Sequence, residues 1–84
     1  MPMTPREKSL QGLALLKEAI LETLREHPQG LRNSEIADRL ELRSDFQGKQ
    51  KDYLSWSVLG LLVNDSLVIQ RDDKKFILAE PDDS

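Results

Sequence analysis

Leu13, Leu16, Ile20 and Leu24 recur at i, i+3, i+7 and i+11 within QGLALLKEAILETLREHP, one stripe on a helix of 3.6 residues per turn. This feature constrains the fold most, because so long an apolar stripe must be covered by other parts of the chain. Ser9 is the expected cap at its start, and Pro28 with Gly30 ends it. Leu10 and Leu21 flank the stripe, small Ala14 sits beside them, and Leu15 lies nearly opposite. The helix is therefore apolar on more than one side.

Two further helices are expected to do the covering. In GLRNSEIADRLEL, Asn33 or Ser34 is a suitable N-cap, Glu35 favours the first turn, and Ile36, Ala37 and Leu40 form one buried side. The stretch from Glu41 to Gly48 then carries several turn formers. A third helix is predicted from Lys49 to Asn64, its inner face made by Leu54, Val58, Leu61 and Leu62. The pattern then changes to two β-rich runs, Leu67–Arg71 and Lys75–Ala79, split by Asp72, Asp73 and Lys74 as in a hairpin. The predicted class is mainly α with a small β-hairpin, an α+β arrangement in the order helix, helix, helix, hairpin. Residues 1–8 read as a flexible arm, 9–79 as the domain and 80–84 as an acidic flexible tail.

Eighty-four residues leave room for one small domain, too little for a cofactor domain, a lid and a catalytic cleft together. Leu, Ile, Val and Phe make up 24 residues, and 15 of these are Leu, a balance that favours packed helices. The absence of Cys excludes disulfide scaffolds and thiolate zinc sites, and one His excludes a multi-histidine metal site. No apolar run approaches the roughly 20 residues that span a bilayer, and the opening residues lack a signal-peptide core. A soluble cytoplasmic binding module, not an enzyme, with no cofactor and no metal, is the expectation. The formal net charge is −3, but Glu80, Asp82 and Asp83 of the tail account for that excess. Where the cations sit matters more for a polyanion than the total.

Three features together resemble the winged helix-turn-helix family over about residues 9–79. HPQGLRNSEIADRL is similar to the family's passage from helix one to helix two, where a Gly-Leu pair makes a short edge strand before an x-E-I-A-x-x-L helix. VLGLLVNDSLV resembles the end of its recognition helix, with Leu59, Leu62, Leu67 and Val68 matching. A two-stranded ribbon with a charged tip follows, as the wing does. The chain departs from the pattern in its longer segment between helices two and three and in Ser66, where the family usually has Gly. More loosely, LRNSEIADRLELRSDFQGKQKDYLSWSVLGLL resembles winged modules appended to restriction-type nucleases.

The resemblance implies double-stranded DNA binding, as a transcriptional regulator or as the recognition module of a larger system, with helix three in the major groove. The face opposite Val58 and Leu62 collects Lys49, Tyr53, Trp56 and Gly60, with Ser57 at its edge. Lys49 suits a phosphate or a guanine edge, Ser57 a phosphate or base edge, and the two rings a thymine methyl or a sugar. Gly60 would let a duplex backbone approach. Arg43, Gln47, Gln50 and Lys51 extend this set at the helix start, and Arg71, Lys74 and Lys75 arm the wing. The alternative is a protein-protein interaction or dimerisation module without DNA binding, in which Trp56 and Tyr53 are packing residues and the hairpin charges only solvate a turn. A weak homodimer through the first helix is also expected, from Leu10, Leu15 and Leu21 outside the main stripe.

Catalysis has little support. Asp72–Asp73–Lys74 and Asp73–Lys74–Lys75 have the D/E-x-K spacing of Mg²⁺-dependent nucleases, with Asp52 or Asp65 as an upstream acid, but Asp-Asp-Lys is also an ordinary hairpin tip. His27, before Pro28, suits the last carbonyls of a helix. No nucleophile elbow, dinucleotide fingerprint or P-loop occurs.

Overall fold

The computed structural model describes residues 2–46 and 49–79. Three helices and two small antiparallel hairpins follow in the order α1 (Pro5–Arg25), α2 (Asn33–Leu40), β1 (Ser44–Phe46), β2 (Lys49–Lys51), α3 (Tyr53–Asn64), β3 (Val68–Gln70) and β4 (Phe76–Leu78). The expected mainly helical α+β arrangement with a C-terminal hairpin is therefore present.

The core draws on α1, α2, α3, β3 and β4. Ile20 and Leu24 of α1, Ile36 of α2, Val58, Leu59 and Leu62 of α3, Val68 of β3, Phe76 of β4 and the intervening Leu31 form one buried cluster. Leu13, Leu16, Leu21, Leu40 and Leu78 pack around it. Burying a side chain of this size contributes roughly 1.5–3 kcal/mol, so this cluster supplies most of what opposes chain entropy. The stripe on α1 thus finds the cover its spacing demands.

Helix α1 starts at Pro5, earlier than the expected cap at Ser9, so that cap is corrected and residues 5–8 are helical. Thr4 Oγ1 accepts from the Glu7 amide at 3.1 Å, and the Thr4 amide donates to Glu7 Oε1 at 2.8 Å. Pro5 follows at the first helical position, where its missing N–H is harmless. The two prolines disguise a capping box. At the other end, His27 Nδ1 lies 2.9 Å from the Thr23 carbonyl, the helix-end role expected of it.

The chain then turns through Gly30 at φ 97°, a left-handed conformation that also brings the backbone against the C-terminal hairpin. A Cβ there would lie 3.0 Å from Ile77 Cγ2 and 3.1 Å from Lys75 Cβ. That approach lets Leu31 exchange backbone hydrogen bonds with Phe76, at 3.1 and 2.7 Å. The Gly-Leu edge contact is present, antiparallel to β4.

The third helix is shorter than expected and turned. Lys49, Gln50 and Lys51 pair with Phe46, Asp45 and Ser44 in an antiparallel ribbon, so they are not helical. Lys-Gln-Lys carries no apolar side chain to commit a first helical turn to the core, and the helix begins only after Asp52. Its buried residues are Ser55, Val58, Leu59 and Leu62, whereas Leu54 and Leu61 are 48% and 40% exposed. The inner face expected from Leu54 and Leu61 is corrected accordingly. With Leu at four of twelve positions, hydrophobicity alone does not orient this helix; a hydrogen-bonded serine does. α3 ends at Asn64, and Ser66 adopts φ 62°. The amides of Ser66 and Leu67 then bond the Val63 and Leu62 carbonyls, both at 3.0 Å, a left-handed helix stop that usually takes Gly.

Candidate functional site

The N-terminus of α2, the start of α3 and the tip of the β3–β4 hairpin converge on one open cleft of about 540 Å³. Its walls include Arg32, Asn33, Ser34, Trp56, Arg71 and Lys74. Arg32, Asn33, Ser34 and Gln70 did not stand out in the sequence as site residues. Asn33 and Ser34 read locally as helix caps, and no local signal says that the loop before α2 will meet a hairpin about forty residues later.

A polar clasp fixes this corner. Ser55 Oγ donates to Asn33 Oδ1 at 2.6 Å, and Asn33 Nδ2 donates to the Asp52 carbonyl at 3.2 Å. Asn33 is thereby withdrawn from capping α2. The cap is supplied instead by Glu35, whose Oε1 accepts from the Arg32 amide at 2.8 Å. The clasp joins the first residue of α2 to the first turn of α3, so the two helices meet at a fixed angle.

The outward face of α3 carries the expected Trp56, Ser57 and Gly60, all exposed. Tyr53 is 66% exposed at the helix start. The Trp56 ring is only half covered, standing edge-on to Phe76 with centroids 6.0 Å apart and planes at 78°. Gly60 has open space beyond it. No residue of α3 is charged, and a second cleft of about 540 Å³ beside it is lined by Trp56, Gly60, Leu61, Val63, Gln70 and Phe76 among others. The cations expected along this helix therefore flank it instead.

On one flank, Lys49, Gln50 and Lys51 lie in β2, one residue before the helix cap. Arg43 folds back on α2, its Nε 2.9 Å from Asp38 Oδ1 and its Nη2 3.4 Å from the Ser34 carbonyl. Gln47 lies outside the described residues. On the other flank, Arg71 ties the hairpin to the loop after α1: its Nη2 donates to the Gln29 carbonyl at 2.9 Å and to Asp73 Oδ2 at 2.8 Å. The Arg71 guanidinium and the Lys75 amide hold the Asp73 carboxyl below the ordinary aspartate range. Lys74 sits exposed at φ 73°, at the tip, and Lys75 is half-buried against the Gly30 turn. Arg71 thus has a holding role that its sequence position did not reveal, while Lys74 is presented to solvent.

Among the described residues no cluster of three or more His, Asp or Glu could hold a metal ion. Asp73, the acid of the Asp73–Lys74–Lys75 spacing, is engaged in the turn by Arg71 and the Lys75 amide. No described helix is long and apolar enough to cross a membrane. Comparisons with protein-family models, with curated proteins and with solved structures each find no match to this chain.

Proposed function

We propose that this chain is a winged-helix domain that binds double-stranded DNA, with α3 as the helix offered to the major groove and β3–β4 as the wing. The observation that carries the reading is the division of labour along the chain. An uncharged helix surface bearing Tyr53, Trp56, Ser57 and Gly60 stands between two hairpins that carry Lys49, Lys51, Lys74 and Lys75. Duplex readers separate functions in this way, since cations on phosphates set position while polar and apolar groups meet base edges. Arg32 adds a cation where the N-terminus of α2 opens on the cleft, a place suited to phosphate. The left-handed Ser66 stop and the Leu31–Phe76 bridge further support a winged-helix assignment over a generic three-helix fold.

The test is a fluorescence titration of a mixed duplex pool at two salt concentrations. Binding whose affinity falls steeply with salt is expected, because cation contacts release counterions from DNA. Absence of binding at low salt would overturn the reading. It would then favour a protein partner on the uncharged cleft of Trp56, Leu61, Val63 and Phe76.

A further inference from the structure

Among the described residues, the face of α1 that points away from the core has no partner within the domain. Leu15 is 59% exposed at its centre. Gly12, one turn before, has nothing within 4 Å of where a Cβ would stand. A mid-helix glycine lowers helix stability relative to alanine, and no neighbour among the described residues requires it. Ala19, one turn after Leu15, is also small.

The charges along this face are ordered. Lys8 and Glu22 each lie seven residues from Leu15, so both fall within about 20° of it around the helix and about 10 Å from it along the axis. Both are exposed. A second copy running parallel would set Lys8 against Lys8 and Glu22 against Glu22. A second copy running antiparallel about a two-fold axis through Leu15 sets Lys8 against Glu22 twice, with Gly12 facing Glu18 of the partner.

We infer that α1 is a self-association surface on which two copies of this chain pair antiparallel, centred on Leu15. The face is self-complementary in the isologous sense, since Lys8 and Glu22 each meet the opposite charge on the same face of a second molecule while Glu18 meets the side-chain gap at Gly12. The missing side chain at Gly12 lets the helices approach closely. The cores then lie on opposite sides of the paired helices, and both α3 surfaces remain open. This inference is independent of what α3 binds.

Sedimentation of the full chain from micromolar to near-millimolar concentration, with circular dichroism to verify folding, tests it. A concentration-dependent dimer is expected. Leu15→Glu should raise its dissociation constant by about ten-fold or more, and Lys8→Glu should act in the same direction by setting like charges together. Lys8→Glu combined with Glu22→Lys should restore association, because the pairs are remade with reversed sign. A monomer at every concentration, or a dimer indifferent to Leu15→Glu, overturns the surface. Failure of the charge reversal to rescue overturns the antiparallel register.

Discussion

Ser55 is fully buried, and its hydroxyl donates to Asn33 Oδ1 at 2.6 Å across twenty-two positions of sequence. It is the one buried polar residue among those described, and it binds the start of α2 to the start of α3. Ser55→Ala would leave the amide oxygen of a half-buried Asn33 without its donor. A loss of about 1–3 kcal/mol in urea unfolding is expected, the range for stranding a buried polar partner. A change within a few tenths would mean that water takes the place of the hydroxyl.

That clasp also shows where sequence reasoning stops. Helix α1, the short α2, the C-terminal hairpin and the outward position of Trp56 and Gly60 were legible, because spacing and turn chemistry are local. The orientation of α3 was not. Leu54, Leu59, Leu61 and Leu62 offer several equivalent stripes, and the choice falls to Ser55, whose partner lies in another element. The register of Lys49–Lys51 was lost for a similar reason: a polar tripeptide between a glycine and an aspartate carries no period, so pairing with Ser44–Phe46 decides its state. At the site, the holding role of Arg71 has no local signal, because its acceptor, the Gln29 carbonyl, is forty-two residues away.

Two left-handed positions predict opposite outcomes. Ser66, at φ 62°, has the conformation that glycine enters without strain. Ser66→Gly should stabilise the domain by roughly 0.5–1 kcal/mol, the L-residue penalty being partly offset by a freer unfolded chain. A rise in the urea midpoint with unchanged slope is the readout.

Gly30 predicts the reverse. At φ 97° any side chain is strained, and a Cβ would press on Ile77 and Lys75 where Leu31 bridges to Phe76. Gly30→Ala should cost about 1–3 kcal/mol from backbone strain alone. Amide exchange at Leu31 and Phe76 should accelerate more than at Val58 or Leu59, since the bridge yields before the core.

The hairpin tip has a pH dependence of known sign. The carboxyl of Asp73 is held low by hydrogen bonds from Arg71 and the Lys75 amide. Its contribution is therefore complete above the unfolded aspartate value of 3.8 and is lost as pH falls below it through the lower folded value. Chemical shifts of the Lys75 amide should hold constant through neutral pH and move only below that point. Arg71→Gln should shift the midpoint upward, toward the ordinary aspartate range.

The two basic hairpins should contribute unequally to duplex binding. Around the β3–β4 tip, Asp73 is occupied by Arg71, but Asp72 stands beside Lys74 and offsets part of its field. In β2, Lys49 and Lys51 are separated by Gln50, with Asp45 across the ribbon. β2 also joins α3 through Asp52 alone, whereas β3–β4 would reach a duplex from the side. Lys49→Ala with Lys51→Ala should therefore weaken binding more than Lys74→Ala with Lys75→Ala. Each pair should make the salt slope shallower by roughly one to two units, and the loss should be uniform across sequences, as expected for phosphate contacts. Trp56→Ala should behave differently, leaving the slope unchanged while narrowing the affinity difference between strong and weak duplexes in the pool. Equal slopes for both lysine pairs and the parent protein would place the cations away from DNA and remove the basis for assigning either hairpin to phosphate.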